Sequence, residues 1–383
     1  MPWGVIDDEA IAAARELIGV ELRRERMQWV ESATKDAIKH FAWGVGDNNP
    51  LWLDEKYAKE TRWGTIIAPP TFLYAIDMTT VAPKLPGVQW IYAGTGWTFY
   101  DVVRREDTFK VLARLIEVQE KTGAFAARWA LQIGEILYRS QTGALVARAL
   151  GKCARTPRGD QLKKEGKQKY EARGPHKYTP DEIADIERQI LAEERRGSEP
   201  RYWEDVEIDA EISPVVKGPL TGTDIVAWYS ATQGAQPYGG AHGDVIRYRR
   251  RHQDYHVNKE TGTRDSAGRG HLEASTGVDV GMGGAYDVGP QRISWGVHML
   301  TNWMGDDGFL HKVDVDVRRP NLVGDTTWWR GKVSGKRIVG NVHFVDLEVW
   351  ASNQRNEITA PGTAVVALPS REHGPVPLPI AAE

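Results

Sequence analysis

Two positions in the sequence carry side chains suited to moving protons near neutral pH. Asp47 lies in a polar run at residues 46–50, and His271 lies in the second half of the chain. A carboxylate and a neutral imidazole held close together can exchange a proton with a substrate at pH 7 with little change in free energy. The two residues therefore suggest general acid–base chemistry.

Each of these residues also has a structural explanation. The run Asp-Asn-Asn-Pro is suited to a loop in which Asp47 accepts hydrogen bonds from nearby backbone amides. A lone histidine in a loop is often solvated or held by core neighbours. Two further carboxylates are candidates to partner His271: Asp265 shortly precedes it, and Asp287 lies just ahead of a predicted helix.

The sequence contains an internal repeat: short segments of the first half recur in the same order in the second half. The matching pairs are 38–50 with 225–237, 105–108 with 323–326, and 141–158 with 354–371. The two members of the second and third pairs are separated by more residues than those of the first pair. This difference indicates an insertion near 238–268. The repeats predict two related domains, 1–158 and 210–383, joined by a linker at 159–209.

Each half is predicted to contain an apolar helix followed by several strands. The apolar helix begins near Pro70 in the first half and spans about Pro290–Met304 in the second. Alternating polar and apolar residues predict strands at 108–119, 124–140, 145–154, 311–318, 326–335, 340–351 and 362–367. Such strands are typical of antiparallel sheets with one solvent-exposed face, and one helix packed on each sheet gives an α+β fold.

The linker is polar and predicts one helix. Thr179 is a suitable N-cap, with Pro180 at the first helical position and Glu182 at the third. The helix is expected to run to about Arg196, before Gly197. Its apolar residues recur at helical spacing, so one face should dock on a domain.

Composition excludes several classes of protein. Of 383 residues, 41% are hydrophobic and 26% are charged, and the net charge of -3 argues against a nucleic-acid surface. No apolar run approaches the roughly 18 residues of a membrane-spanning helix, so no membrane association is expected. The N-terminus carries acidic residues where a signal peptide carries basic ones, and the only cysteine is Cys153. Both features predict a cytoplasmic protein.

Residues 41–54 resemble the hydratase motif of the MaoC-like hydratase/dehydratase family, which includes R-specific enoyl-CoA hydratases. The family pattern is Gly-Asp-x-Asn-Pro-x-His-x-Asp, and this sequence matches it except at the histidine, which is replaced by Trp52. Residues 63–71 and 314–326 are similar to the family's approach to its central helix and to its strand-and-turn signature. The resemblance implies a double hot-dog fold, in which each sheet wraps around a central helix.

The resemblance also implies a lyase that adds water to an enoyl-CoA thioester or removes it from a 3-hydroxyacyl-CoA. In the family, a carboxylate and an imidazole share the water, and amides at the start of the central helix polarise the carbonyl. Trp52 cannot transfer protons, so His271, at the equivalent position of the second half, is the expected catalytic histidine. Asp47, Asp287 and Asp265 are the candidate carboxylates, because Gly234 occupies the aligned aspartate position.

Asn49, Arg292 and Trp295 are the expected substrate-binding residues, and His298 on the same helix could also line a tunnel. The 15 tryptophans suggest a bulky acyl group. Coenzyme A is expected only as part of the substrate, with no separate cofactor. The histidines and aspartate at 242–256 have no common metal-ligand spacing, so no metal is predicted, and the arginines at 247–251 could instead meet phosphates of coenzyme A.

Two other functions fit the same fold. One is thioester hydrolysis by a carboxylate-activated water, and the other is acyl-CoA binding without catalysis, which the replacement of the motif histidine by Trp52 favours. In either case a homodimer is the expected assembly.

Overall fold

The structure is a computed structural model that describes residues 4–24, 29–123, 126–157, 170, 173–232, 242–251, 255–257 and 261–381. The α-helices of this part are α1 Asp8–Arg15, α2 Lys35–Val45, α3 Pro50–Leu53, α4 Glu55–Glu60, α5 Leu73–Ile76, α6 Pro180–Leu191, α7 Gly222–Thr232, α8 His242–Arg251, α9 Ala274–Asp279 and α10 Gly289–Met304. Short 3-10 turns span Pro70–Phe72, Trp203–Asp205 and Ala267–His271. Within these ranges, none of the helices combines the length and apolar character that a bilayer crossing requires.

The strands form one large antiparallel sheet and one small hairpin. The strands are β1 Glu21–Leu22, β2 Gln89–Phe99, β3 Phe109–Lys121, β4 Trp129–Ser140, β5 Leu145–Thr156, β6 Glu211–Lys217, β7 Tyr255–Val257, β8 Arg264–Ser266, β9 Phe309–Asp316, β10 Thr327–Val339, β11 Val342–Asn353 and β12 Ile358–Leu368. The large sheet has ten strands in the order β1-β3-β4-β5-β2-β9-β12-β11-β10-β6, and β7 pairs with β8.

The two halves meet edge to edge at the centre of the large sheet. Strands β2 and β9 pair in antiparallel fashion from Gly94 opposite Asp316 to Thr98 opposite Lys312. Lys152 on β5 reinforces this seam, because its Nζ lies 2.6 Å from a carboxylate oxygen of Asp314 and 2.8 Å from one of Asp316. The predicted α+β arrangement of two related halves is therefore present.

The central helices of the two halves differ in length. In the second half, all residues of the 16-residue α10 are buried. Gly296 at its middle packs against the indole of Trp329, whose ring atoms would lie 2.9 Å from an added Cβ. In the first half, the equivalent segment is only the turn Pro70–Phe72 followed by α5. The long helix packs against strands from both halves of the large sheet, including β2, β6, β9 and β10.

Most predicted elements are observed with small shifts in their ends. The linker helix begins at Pro180 with the expected capping box, but it ends at Leu191 rather than near Arg196. Strands β2 and β6 were not predicted. Strand β2 contains Gly94 and Gly96, which weaken its strand signal, and β6 contains Pro214. Of the predicted insertion, the structure describes α8, β7, β8 and the first residues of a turn.

Candidate functional site

The motif loop of the first half holds its aspartate in a closed set of hydrogen bonds. Helix α2 ends at Val45 with Gly46 as its C-cap, and Asp47 follows with 2% of its surface exposed. The indole Nε1 of Trp52 donates to one carboxylate oxygen of Asp47 at 2.9 Å, and the backbone N–H of Asn49 donates to the other at 2.9 Å. The tryptophan at the motif's histidine position thus binds the aspartate.

A histidine from the opposite half also approaches Asp47. The Nε2 atom of His298 on α10 lies 3.4 Å from an Asp47 oxygen and 3.0 Å from an oxygen of Glu193, to which Asn302 donates at 3.0 Å. Burial alone would raise the pKa of Glu193, but the hydrogen bond and charge of His298, together with Lys217 and Asn302, lower it to about 2. We call Asp47, Glu193 and His298 the buried triad.

The first-half loop also borders a mainly apolar cleft, which Trp52 and Asn49 help to line. Asp306 lies in its wall with 5% of its surface exposed, and it accepts a hydrogen bond of 2.5 Å from the Tyr57 hydroxyl. Burial and the nearby Asp307 raise the pKa of Asp306, although the Tyr57 hydrogen bond opposes this shift. Asn49, a predicted substrate-binding residue, therefore faces a cleft rather than bulk water.

In the second half, His271 has a different environment. Its Nδ1 lies 2.9 Å from the carbonyl oxygen of Tyr286 and 3.1 Å from that of Asp287. Carbonyl oxygens only accept, so Nδ1 carries the proton and Nε2 is the basic nitrogen. Burial lowers the pKa of His271 and outweighs the two carbonyls and the charge of Asp287, which raise it. The ring is therefore neutral near pH 7.

The carboxylate of Asp287 is held by an arginine rather than by His271. Arg292 Nε donates to one of its oxygens at 2.6 Å, Arg292 Nη2 contacts the other, and the Asn321 backbone N–H donates at 3.2 Å. Both charged side chains of this pair are 1% exposed. Arg292 also donates to the carbonyl of Thr359. Asp287 and Arg292 thus form a buried ion pair that fixes the start of α10.

The remaining predicted residues of the second half lie elsewhere. Asp265 is 3.6 Å from a guanidinium nitrogen of Arg269. Trp295 is 4% exposed and belongs to the apolar core. Gly234, at the aligned aspartate position, lies outside the described residues, as do positions 252 and 254 of the histidine-rich segment.

The amino end of α10 lies directly beside His271. The N-cap residue Val288 makes no side-chain capping bond, and Pro290 is in the first turn. Backbone N–H groups of a first helical turn have no partner within the helix, so they can bind an oxygen that gains negative charge. Gly289 packs against Tyr92 of β2, whose ring would lie 2.4 Å from an added Cβ. The first half thus supplies a wall beside this helix end.

The two loops occupy separate places along α10. His271 binds the carbonyls just before the helix, whereas Asp47 contacts His298 within it. With a rise of about 1.5 Å per residue, roughly 15 Å separate these points. The structure therefore brings Asp47 together with His298, a predicted tunnel residue, and keeps it apart from His271. Glu193 was missed, because nothing in its local sequence distinguishes it from the other charged linker residues.

Known proteins resemble this chain in fold and in part of its sequence. Residues 16–149 match the family model described as "FAS1-like, dehydratase domain region". A solved MaoC-like dehydratase superposes with a TM-score of 0.63 and 13% identity, covering 93% of this chain and 99% of that one. A putative MaoC domain dehydratase from Chloroflexus aurantiacus gives 0.56 and 12%, covering 92% and 96%.

Two further relatives complete this picture. A conserved hypothetical protein from Mycobacterium tuberculosis with a double hotdog fold gives a TM-score of 0.53 and 14% identity, covering 92% of this chain and 96% of that one. A curated UPF0336 protein from Streptomyces avermitilis is 45% identical over 42 residues, which is 11% of this chain and 28% of that protein's length. The double hot-dog fold and the resemblance to MaoC-like dehydratases are confirmed.

Proposed function

We propose that the protein catalyses the reversible hydration of an enoyl-thioester at the amino end of α10, with His271 as the proton-transferring group. The observation that carries this proposal is the position of a neutral His271 ring, whose Nδ1 is bound by two backbone carbonyls immediately before the helix. This arrangement leaves Nε2 as a base beside backbone N–H groups that can polarise a carbonyl.

A single proton-transferring group is sufficient for the whole reaction. Nε2 of His271 removes a proton from water while the water oxygen bonds to the β-carbon, and the electron pair of the double bond moves toward the thioester oxygen. The first-turn N–H groups of α10 stabilise the resulting enolate. The imidazolium then returns the proton to the α-carbon, which restores the thioester carbonyl. Dehydration of the 3-hydroxyacyl thioester follows the same steps in reverse.

The other predicted catalytic residues take supporting roles in this proposal. Asp47 orders the first-half loop, because its carboxylate already accepts from Trp52 and from a backbone amide. Asp287 and Arg292 hold the start of α10 in place through their buried ion pair. Neither carboxylate needs to exchange a proton for the reaction to proceed.

We further propose that the thioester is coenzyme A-linked. Arg250 is exposed on α8, on the insertion of the half that carries His271, where a guanidinium can bind phosphate. Trp295 and Trp329 lie in the apolar core, so these two tryptophans do not bear on the size of the acyl group. A series of enoyl-CoA substrates from crotonyl-CoA to ring-bearing thioesters tests acyl size directly.

The proposed activity is tested by following the loss of enone absorbance with wild-type protein and with His271→Ala. We expect kcat to fall about 1000-fold, which is within the range for removing a general base. His40→Ala is the matched control, because His40 is exposed on α2, and it should retain wild-type activity. Full activity in His271→Ala would refute the proposal.

A second candidate is thioester hydrolysis at the same site. One observation favours it: the described contacts of His271 Nδ1 are with carbonyls and not with a carboxylate, and a single base suffices to direct water at a carbonyl carbon. Release of free thiol without loss of enone absorbance would identify this reaction. Tight acyl-CoA binding with neither signal would instead indicate a non-catalytic binding protein.

A further inference from the structure

Two tyrosine rings lie beside the imidazole of His271. The ring centroid of Tyr286 is 4.1 Å from that of His271, and the two ring planes are tilted by 47°. The centroid of Tyr229 is 6.1 Å from that of His271, with the planes at 74°. Both separations are those of packed aromatic neighbours. We call Tyr229 and Tyr286 the aromatic pair.

The two tyrosines reach His271 from different elements. Tyr229 lies on α7 with 8% of its surface exposed, so its ring belongs to the packed interior. Tyr286 is half-buried in the segment just before α10, and its carbonyl oxygen accepts the hydrogen bond from His271 Nδ1. Gly270 leaves room for the Tyr286 ring, because an added Cβ would lie only 3.2 Å from a ring atom. The ring and the carbonyl of Tyr286 therefore contact the same imidazole.

In the part of the chain that the structure describes, no carboxylate forms an ion pair with His271. The candidate carboxylates have other partners: Asp287 is bound by Arg292, and Asp265 lies 3.6 Å from a guanidinium nitrogen of Arg269. An imidazole that accepts a proton becomes a cation, and burial disfavours that charge. The imidazolium of His271 therefore needs stabilisation from groups other than a paired carboxylate.

Aromatic rings can supply this stabilisation. The π-electron face of a ring attracts a cation that lies within about 6 Å of the ring centroid, and the attraction is strongest where water is excluded. The centroid of Tyr286 is well inside this distance, and that of Tyr229 is at its limit. Packing against two rings also restricts rotation of the imidazole about its Nδ1 hydrogen bonds, so Nε2 keeps one direction.

We infer that the aromatic pair positions His271: the two rings hold the imidazole in one orientation and stabilise the imidazolium that forms when Nε2 takes a proton. This inference rests on the proposed function. It names the groups that take the place of the motif carboxylate in the second half. Tyr229 and Tyr286 act through His271 and need no contact with the substrate for this role.

The charges around His271 define the direction of a pH test. Burial lowers the pKa of His271, whereas the carbonyls of Tyr286 and Asp287 and the charge of Asp287 raise it. The other charged side chains of these segments are paired with one another: Arg292 with Asp287, and Arg269 with Asp265 and Glu273. Leucine in place of either tyrosine keeps the surroundings apolar but removes the attraction for the imidazolium. The pKa of His271 should therefore fall further in such variants.

Tyr286→Leu and Tyr229→Leu test the inference, and Tyr286→Phe and Tyr229→Phe are matched controls that keep each ring. We expect each leucine variant to lose about tenfold in kcat with KM little changed, which is within the range of one desolvated cation–π contact. The phenylalanine variants should stay within about twofold of wild type. The acid limb of the kcat/KM profile should move to lower pH in the leucine variants alone. Equal losses in the leucine and phenylalanine variants, or a loss without this movement, would contradict the inference.

An NMR titration of the His271 ring separates the inference from the proposed function, because it needs no turnover. The His271 signal is the one that is absent from His271→Ala. If its midpoint falls in the leucine variants but wild-type protein hydrates no enoyl-thioester, the role of the rings stands and hydration is refuted. If His271→Ala abolishes hydration while the midpoint is the same in every tyrosine variant, the inference is wrong and the proposed function stands. Tyr286 is half-buried, so Tyr286→Leu alone carries the test if Tyr229→Leu does not fold.

Discussion

The two motif loops of this protein have diverged in opposite directions. The first-half loop keeps the motif aspartate, Asp47, but carries Trp52 where the motif has histidine. The second-half loop keeps a histidine, His271, but has Gly234 at the aligned aspartate position. The carboxylate of the first loop accepts from the Trp52 indole and the Asn49 amide, whereas the imidazole of the second loop has Nδ1 fixed by carbonyls and Nε2 basic. Under the proposed function, the reaction takes place at the second loop.

Helix α10 connects the two regions and shows why they are not equivalent. Its amino end lies against His271, and its middle supplies His298 to the buried triad of the first loop. The corresponding segment of the first half is only a turn followed by the short helix α5. Under the proposed function, the first half is mainly structural and the second half carries the groups for reaction.

Breaking the buried ion pair of the second half should have the largest effect on folding. Arg292→Leu leaves the Asp287 carboxylate buried without its main donor, and we expect the free energy of unfolding to fall by about 4 kcal/mol. Denaturant titration measures this loss. Arg318→Leu is the control, because Arg318 belongs to an exposed ion pair with Asp316, and its loss should cost well under 1 kcal/mol. Equal stability of the two variants would contradict the structural role of Arg292.

Glu193 allows the buried triad of the first half to be tested through pH. Its pKa in the folded protein is about 2, against an ordinary value of 4.5, so its contribution to stability is present above pH 4.5 and is lost as the pH falls toward 2. Glu193→Gln should lower the free energy of unfolding at pH 7 by about 2 kcal/mol, the scale for losing a hydrogen bond to a charged group, because the amide carries no charge beside His298 and Lys217.

The difference between Glu193→Gln and wild-type protein should shrink between pH 4.5 and pH 2, because Glu193 of the unfolded protein takes up a proton in this range before Glu193 of the folded protein does. Glu194→Gln changes an exposed neighbour and should alter stability by less than about 0.5 kcal/mol. A pH-independent difference for Glu193→Gln would show that the ion pair with His298 does not contribute to stability.

Much of the fold could be predicted from the sequence, because the internal repeat and the periodicity of apolar residues can both be recognised without knowing the structure. Helix α10 was predicted to begin at Pro290 and begins at Gly289. Strand β2 was missed because Gly94 and Gly96 interrupt its sequence pattern, and because its pairing with β9 of the other half leaves no local signal. The proposed domain boundaries remain predictions, since the continuous sheet marks no boundary by itself.

The candidate site was less predictable, because it depends on which groups meet in three dimensions. The loop-capping alternative for Asp47 agrees with its observed hydrogen bonds. In contrast, sequence spacing cannot show that Asp287 would bind Arg292 instead of His271, or that His271 would bind backbone carbonyls. Glu193 gave no motif signal, since its contact with His298 arises from the path of the linker.

The most direct measurement is the kcat of Asp47→Asn and of His271→Ala on the same enoyl-CoA. If the first loop is structural and the second loop is catalytic, Asp47→Asn should lose about 1–2 kcal/mol of stability but keep kcat within a few-fold of wild type, while His271→Ala loses about 1000-fold. The opposite result, an inactive but folded Asp47→Asn and an active His271→Ala, would contradict the account and move the reaction to the buried triad of the first half.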